Sequence, residues 1–180
     1  YDKSGYAVGI YGDGSQINNT GNINIKENGI GLYTRDNTVP VINRGNITGT
    51  GKGATGLFVD NGVLENALGA TITISGDDSI GMAANKNGTI INNGTIIMSG
   101  NNTTGMFANI SSKAINNGLI DMSGATGNKS IAFLMGAGSK YEKNGTLILG
   151  PNATLAGEIG ISHEITNKIK RTNFDYVHSG

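Results

Sequence analysis

Cysteine and tryptophan are absent from this 180-residue chain, proline occurs only twice, and charged residues make up 14% of the sequence. Without cysteine the chain can form no disulfide, and it offers no thiolate for metal binding or catalysis. The formal net charge is zero, so there is no excess of basic residues to attract nucleic acid or anionic lipid. We therefore expect no nucleic-acid partner.

Long apolar runs are also missing. No segment reaches the roughly 18 consecutive apolar residues of a membrane-spanning helix, and the first four residues do not begin a signal peptide. We therefore expect a segment that is not embedded in a membrane. Glycine, which occurs 30 times, is abundant together with asparagine, threonine and serine, and these residues favour turns and short strands over helices.

A glycine followed by an apolar residue recurs along the chain. The pairs are Gly9-Ile10, Gly31-Leu32, Gly56-Leu57, Gly81-Met82 and Gly105-Met106, followed by Ala132-Phe133. Successive apolar members are 22, 25, 25, 24 and 27 residues apart. This regular spacing is the first sign of an internal repeat.

A second column has the same period. Polar turns rich in asparagine and glycine lead into short strands that contain Ile23, Ile47, Ile72, Ile96, Ile120 and Leu147. These residues are 24, 25, 24, 24 and 27 positions apart, so the spacings in the two columns change in nearly the same way along the chain. Around them apolar and polar residues alternate, as in Ile72-Thr73-Ile74, which indicates strands with one apolar face. Helical repeats and leucine-rich repeats need sequence patterns that are missing here.

The repeat therefore predicts an all-β fold, a single-stranded right-handed parallel β-helix (β-solenoid) of about six coils of about 24 to 25 residues. The right hand is expected from the general preference of parallel crossovers. We assign residues 1–160 to these coils and residues 161–180 to a degenerate coil, cap or linker. Because the pattern has already begun at the first residues, we interpret the sequence as a piece of a protein that continues into further coils.

Two stacks should stabilise such a solenoid. The isoleucine column should form one buried stack. Asparagines at the corners should form a ladder of stacked amides, and the candidates are Asn18, Asn43, Asn66, Asn92 and Asn116. We expect left-handed backbone conformations at these corners, because asparagine and glycine tolerate them best.

Aromatic residues follow the apolar residue of the glycine column in four of six repeats. The positions are Tyr11, Tyr33, Phe58, Ala83, Phe107 and Leu134. If the preceding residues point inward, strand alternation turns these side chains outward and creates an exposed aromatic stripe. Tyr11, Tyr33, Phe58 and Phe107 are therefore candidate partner-binding residues. The alternative is that a bend reverses the alternation, or that the rings cover a corner.

No catalytic, cofactor-binding or metal-binding residues emerge from the sequence. Residues 51–56 match the dinucleotide pattern G-x-G-x-x-G, but a strand and turn are predicted after them, where that site needs a helix. His163 begins a segment that resembles a zinc-protease helix, but Asn167 occupies the position of the second histidine. The acidic residues are dispersed over different repeat positions. We therefore expect no enzyme and no cofactor, and a polysaccharide lyase or hydrolase on a β-helix is the alternative.

The Gly-Ile-Tyr and Gly-Met-Phe starts and the Ile-Asn-Asn-Gly-Thr-Ile turn at residues 91–96 resemble the passenger region of bacterial type V autotransporters. The resemblance covers about residues 4–157 and is greatest to the large fusobacterial autotransporter adhesins. Filamentous haemagglutinin-like exoproteins have similar turns. The resemblance implies display at the cell surface, attachment to the outer membrane through a C-terminal barrel, and adhesion to a protein or glycan receptor on host cells or other bacteria.

Overall fold

Every regular element of the described chain is a β-strand. The structure is a computed structural model that describes residues 8–158. Three parallel sheets run along these residues, and each coil contributes one strand to each sheet. The prediction of an all-β parallel solenoid of about six coils is therefore confirmed. The predicted cap or linker at 161–180 lies outside the described residues.

Sheet 1 consists of the longest strands. They are β1 (Val8–Asp13), β4 (Ile30–Arg35), β7 (Thr55–Asp60), β10 (Ile80–Asn85), β13 (Thr104–Asn109), β16 (Ser130–Met135) and β19 (Ala153–Glu158). Each strand begins near one of the predicted glycine-column positions, up to Ala132. Strands of one sheet are about 24 to 25 residues apart because each is separated from its neighbour by a whole coil.

Sheets 2 and 3 complete each coil. Sheet 2 contains β2 (Asn18–Asn19), β5 (Val41–Asn43), β8 (Val63–Asn66), β11 (Thr89–Asn92), β14 (Lys113–Asn116) and β17 (Lys140–Lys143). Sheet 3 contains β3 (Ile23–Ile25), β6 (Asn46–Gly49), β9 (Thr71–Ile74), β12 (Thr95–Met98), β15 (Leu119–Asp121) and β18 (Thr146–Ile148). The strands of sheet 2 are short, and in the first five coils they end at asparagines in the segments that the sequence predicts to be polar turns.

The predicted isoleucine stack is confirmed by the register of sheet 3. Ile23 pairs with Ile47, and the column continues through Ile72, Ile96, Ile120 and Leu147. The four central members are fully buried, and the first and last are partly buried. Burial of each central side chain stabilises the solenoid by about 1.5–3 kcal/mol.

The glycine column has a steric cause. At Gly81, a Cβ atom would lie 2.7 Å from the carbonyl oxygen of Gly105 and 2.9 Å from Cγ2 of Ile96. At Gly56 the corresponding distances, to the carbonyl oxygen of Gly81 and to Cγ2 of Ile72, are 2.5 and 3.0 Å. A side chain at either position would therefore clash with the backbone of the next strand in sheet 1 and with the isoleucine stack of sheet 3.

The amide ladder exists, with one change of membership. Side-chain hydrogen bonds link Asn19 to Asn43, Asn43 to Asn66, Asn66 to Asn92, and Asn92 to Asn116. Their donor–acceptor distances are 2.8, 3.0, 3.0 and 2.8 Å. The prediction of Asn18 as the first member of the ladder is wrong. The register pairs Asn18 with Ile42 and Asn19 with Asn43, so Asn19 takes that place.

The prediction of a left-handed backbone at the ladder asparagines is wrong. The ladder asparagines end the strands of sheet 2, and none of them has a positive φ. Left-handed residues mark the other two corners of the coil, before and after sheet 1. Examples are Asn28, Asp36, Asn61 and Asp78.

Candidate functional site

The aromatic residues do form one column across sheet 1. Tyr11 pairs with Tyr33, Tyr33 with Phe58, and the column continues through Ala83 and Phe107. The rings of Tyr11 and Tyr33 are stacked with centroids 5.2 Å apart, and those of Tyr33 and Phe58 are tilted with centroids 5.0 Å apart. The predicted register of the stripe is therefore correct.

The predicted exposure of this column is wrong for three of its four aromatic residues. Tyr33 retains 1% of its accessible surface, and Phe58 and Phe107 retain none, whereas Tyr11 retains 53%. Burial is also the main reason why the pKa of the Tyr33 hydroxyl is raised. Only Tyr11 can present its ring to a partner as predicted.

Sheet 1 is buried on both faces, which explains this correction. Leu32 and Leu57 belong to the apolar cluster inside the coils, and the rings belong to a second cluster on the other face of the sheet. The second cluster consists of Ile30, Tyr33, Phe58, Ile80, Ala83, Phe107, Ile131 and Leu134. Strand alternation was therefore predicted correctly, but the outer side is a second core. Continuous small and apolar runs such as residues 80–84 are the sequence signal for a strand buried on both faces.

The outer faces of sheets 2 and 3 are more accessible. On sheet 2 the outward column is Asn18, Ile42, Glu65, Ile91, Ile115 and Glu142. On sheet 3 it is Asn24, Thr48, Thr73, Ile97, Asp121 and Ile148. All of these side chains are at least partly exposed. The two columns form the mixed apolar and polar surface that the coils offer to a partner.

Leu68 has the largest exposed fraction, 86%, among the large apolar side chains of residues 8–158. It lies in the corner between β8 and β9, next to Gly69, whose φ is +89°. In the next coil the corner residue Asn93 donates a hydrogen bond of 3.0 Å from Nδ2 to Glu65 Oε2. The sequence analysis did not identify Leu68. Its signal is an apolar residue in a corner where the other coils have asparagine, arginine, threonine and glycine.

The contacts between charged side chains are few and local. Arg35 Nε lies 3.3 Å from Asp36 Oδ2 and 4.0 Å from Asp13 Oδ1, and the other two contacts between described residues are single pairs. Lys113 Nζ lies 2.5 Å from Glu142 Oε2, and Lys52 Nζ lies 3.5 Å from Asp78 Oδ2. The hydrogen bond from Lys113 is the main reason why the pKa of Glu142 lies below its ordinary value. No group of three or more histidine, aspartate or glutamate side chains that could hold a metal ion occurs in the described part of the chain.

The dinucleotide-like segment does not form a phosphate site of the expected kind. Gly51 and Lys52 lie in a turn, and Thr55 to Asp60 form strand β7 rather than a helix. A groove of 240 Å³ adjoins this turn, lined by 24–27 and 48–51. Its side chains are one amide, two hydroxyls, one isoleucine and the adjacent Lys26 and Glu27, which gives a mainly polar surface groove without clustered carboxylates.

No protein family, curated protein or solved structure matches this chain. Between residues 8 and 158 there is no helix long and apolar enough to cross a membrane. The fold and its surfaces therefore define the class of protein directly, and that class is the parallel β-solenoid repeat proteins.

Proposed function

We propose that the chain is a non-catalytic stalk and adhesive segment of a surface-displayed bacterial protein of the autotransporter kind. The observation that carries this proposal is the repetition of one cross-section, with the same three strands, isoleucine stack and amide ladder in successive coils. Its expected partner is a protein or glycan receptor on host cells or other bacteria.

A stalk needs coils that support one another along the axis. Central strands such as β10 are hydrogen-bonded to a strand on each side, so each coil is held by its two neighbours. Each coil adds about 4.8 Å, the spacing between paired strands, and six coils therefore span about 30 Å. Further coils of the same kind would extend the rod without changing its cross-section.

An adhesive segment needs exposed side chains with large contact area. Leu68 is 86% exposed and Tyr11 53% exposed, and Ile91 and Ile115 are partly exposed on sheet 2. Ile91 and Ile115 are paired on neighbouring strands, and contiguous exposed apolar side chains with polar residues around them are typical of surfaces that bind another molecule. Tyr11 also offers an aromatic face, which suits the apolar face of a sugar ring.

The test is a retention assay. Surfaces coated with the 180-residue chain should retain bacterial or epithelial cells above an albumin-coated surface. Leu68→Ser should reduce retention, because it removes the protruding apolar side chain without touching the core. Val39→Ser is the matched control, since Val39 is 46% exposed in the loop before β5, at the corner between sheets 1 and 2.

Two results would contradict the proposal. One is retention no greater than that of albumin for every cell type and glycan tested. The other is a loss of viscosity or chain length when polysaccharides are incubated with the protein, which would indicate a lyase or hydrolase. Equal losses of cell retention from Leu68→Ser and Val39→Ser would show that the corner between sheets 2 and 3 is not the contact surface.

A further inference from the structure

Six asparagines in this chain are followed directly by glycine. They are Asn28, Asn61, Asn87, Asn93, Asn117 and Asn144, and all six lie within residues 8–158. In such a pair the backbone nitrogen of the glycine can attack the side-chain carbonyl carbon of the asparagine, because glycine presents no side chain to hinder the approach. The nitrogen can attack only when it is free to lose its proton.

Five of the six glycine amides are engaged in hydrogen bonds. Gly29 donates to the Lys26 carbonyl at 2.9 Å and Gly88 to Ser112 Oγ at 3.1 Å. At the corner between sheets 2 and 3, Gly94, Gly118 and Gly145 donate to the carbonyls of Asn66, Asn92 and Asn116 at 3.1, 2.9 and 2.8 Å. Each of these bonds keeps the N–H directed at its acceptor and keeps its proton in place.

Gly62 is the exception, and stacking explains why. Gly62, Gly88, Ser112 and Ser139 occupy the same position in successive coils. The residue that follows each of the last three donates its backbone N–H to the carbonyl of the preceding member of this column. Gly88 donates to the Ser112 hydroxyl and Ser112 donates to the Ser139 hydroxyl at 3.0 Å. The residue above Gly62 is Gly88, which has no side chain to accept a bond. The Gly62 amide accordingly donates no hydrogen bond to any residue that the structure describes.

Exposure alone does not separate Asn61 from the other five. Asn61 is exposed, but so are Asn87, Asn117 and Asn144. What distinguishes Asn61 is the combination of an exposed side chain with an unbonded amide on the following residue. The amide of Asn61 itself is fixed, since it donates to the Asn85 carbonyl at 3.0 Å.

We propose that Asn61-Gly62 is the site at which the folded protein undergoes spontaneous deamidation. The Gly62 nitrogen loses its proton to solvent and attacks Cγ of Asn61, closing a five-membered succinimide. The bond from Cγ to the side-chain nitrogen breaks and ammonia leaves. Water then opens the ring at one of its two carbonyls and yields aspartate or isoaspartate, so water is the only co-reactant and no oxidant is needed.

The reaction changes a specific contact. Asn61 Nδ2 donates a hydrogen bond of 2.9 Å to Asp36 Oδ1 in the preceding coil. After deamidation this donor is replaced by a carboxylate beside another carboxylate, and like charges at that distance repel. Isoaspartate also adds a methylene to the backbone in a corner that must stay in step with its neighbours. We therefore expect the modified chain to melt at a lower temperature than the fresh chain.

The first experiment compares the six sites in one sample. The intact 180-residue chain is incubated in mildly alkaline buffer, either folded or in concentrated urea, and each Asn-Gly peptide is followed by mass spectrometry. In urea the six sites should react at similar rates. In the folded chain Asn61 should react several-fold faster than the other five. Equal rates at Asn61 and the exposed Asn117 or Asn144 in the folded chain would overturn the proposal.

The second experiment removes or adds the hydroxyl that accepts a hydrogen bond from the glycine amide. Ser112→Ala removes the hydroxyl that accepts from Gly88, so deamidation at Asn87 should become faster. Gly88→Ser supplies a hydroxyl above Gly62 and should slow deamidation at Asn61. A Cβ at residue 88 would lie 3.0 Å from the Asn85 carbonyl oxygen, so folding of this variant is checked by circular dichroism. Unchanged rates at Asn87 in Ser112→Ala would contradict the mechanism even if Gly88→Ser does not fold.

Discussion

Asn92 donates a hydrogen bond from Nδ2 to Oδ1 of Asn116 in the next coil, across 2.8 Å. The same Asn92 accepts a bond of 3.0 Å from Asn66 Nδ2 in the preceding coil. Each central ladder residue is therefore both donor and acceptor, and all bonds point in one direction along the solenoid. Buried polar groups that are fully bonded in this way fix one register between coils, because a shifted coil would leave them without partners.

Replacing Asn92 by alanine should destabilise the protein by about 1–3 kcal/mol, because Asn66 loses an acceptor and Asn116 a donor in a buried site. Urea unfolding followed by circular dichroism measures the change. Asn93→Ala is the matched control at the adjacent, half-buried position, and we expect about 0.5 kcal/mol or less there. Equal losses for the two variants would show that the ladder adds nothing beyond its exposed neighbours.

Ile96→Asp should cost more than about 3 kcal/mol, since it removes a packed side chain and places an unpaired carboxylate between Ile72 and Ile120. Ile97→Asp places the same carboxylate one residue further on, on the partly exposed outer face. Thermal unfolding should distinguish them clearly. An unchanged melting temperature for Ile96→Asp would contradict the register of sheet 3.

Phe58→Ser should lower stability by about 3–5 kcal/mol, because Phe58 is fully buried in the second apolar cluster. Tyr11→Ser, at the exposed end of the same column, should have a much smaller effect on melting. Of these two variants, only Tyr11→Ser can report on partner binding directly in the retention assay. A small change for Phe58→Ser would restore the idea of an accessible aromatic stripe.

Ile110→Asn should stabilise the protein by about 1 kcal/mol, because a β-branched residue is strained at positive φ and asparagine is not. Ile110 has a φ of +52° and is 44% exposed, so little packing is lost. Ile115→Asn, in an extended strand of sheet 2, is the control and should not stabilise. Urea midpoints of the two variants provide the comparison.

Stability should fall in acid. The bond from Asn61 lowers the pKa of Asp36, and the bond from Lys113 lowers that of Glu142. A carboxyl whose pKa is lower in the folded state stabilises the fold above its unfolded pKa and loses that contribution as pH falls through the folded value. Urea midpoints should therefore be constant near neutrality and decrease below about pH 4. The double variant Asp36→Asn/Glu142→Gln should flatten this decrease, and an unchanged slope would contradict the assignment.

The sequence predicted those features that repeat once per coil with a distinctive residue type. The isoleucine stack and the glycine column recur with the same spacing, and each has one steric or apolar requirement that the residue type reveals. The ladder was predicted except for Asn18, because two adjacent asparagines in the first coil satisfy the same pattern, and only the pairing of Asn19 with Asn43 separates them.

The exposure of Tyr33, Phe58 and Phe107 was not predictable from alternation. Alternation determines on which side of a strand a residue lies, and it assigned these rings correctly to the face opposite Leu32 and Leu57. Whether that face meets solvent depends on what packs over the sheet, which is a property of the folded chain. Gly62 was missed for a related reason, since its missing acceptor depends on the residue one coil away. Leu68 did have a signal in the sequence, an apolar residue in an otherwise polar corner.

The sequence by itself determined the period, the strand-forming columns and the all-β class, because these follow from local spacing and the conformations that each residue type allows. The tertiary structure alone decided which coil position lies above which, and with it the burial of the aromatic rings, the membership of the ladder and the missing acceptor at Gly62. The physical reason is that hydrogen bonds and packing between coils join residues about 24 positions apart. Corners of different length, such as 67–70 and 93–94, leave the flanking strands in register, so spacing alone does not show which corner residues lie above one another.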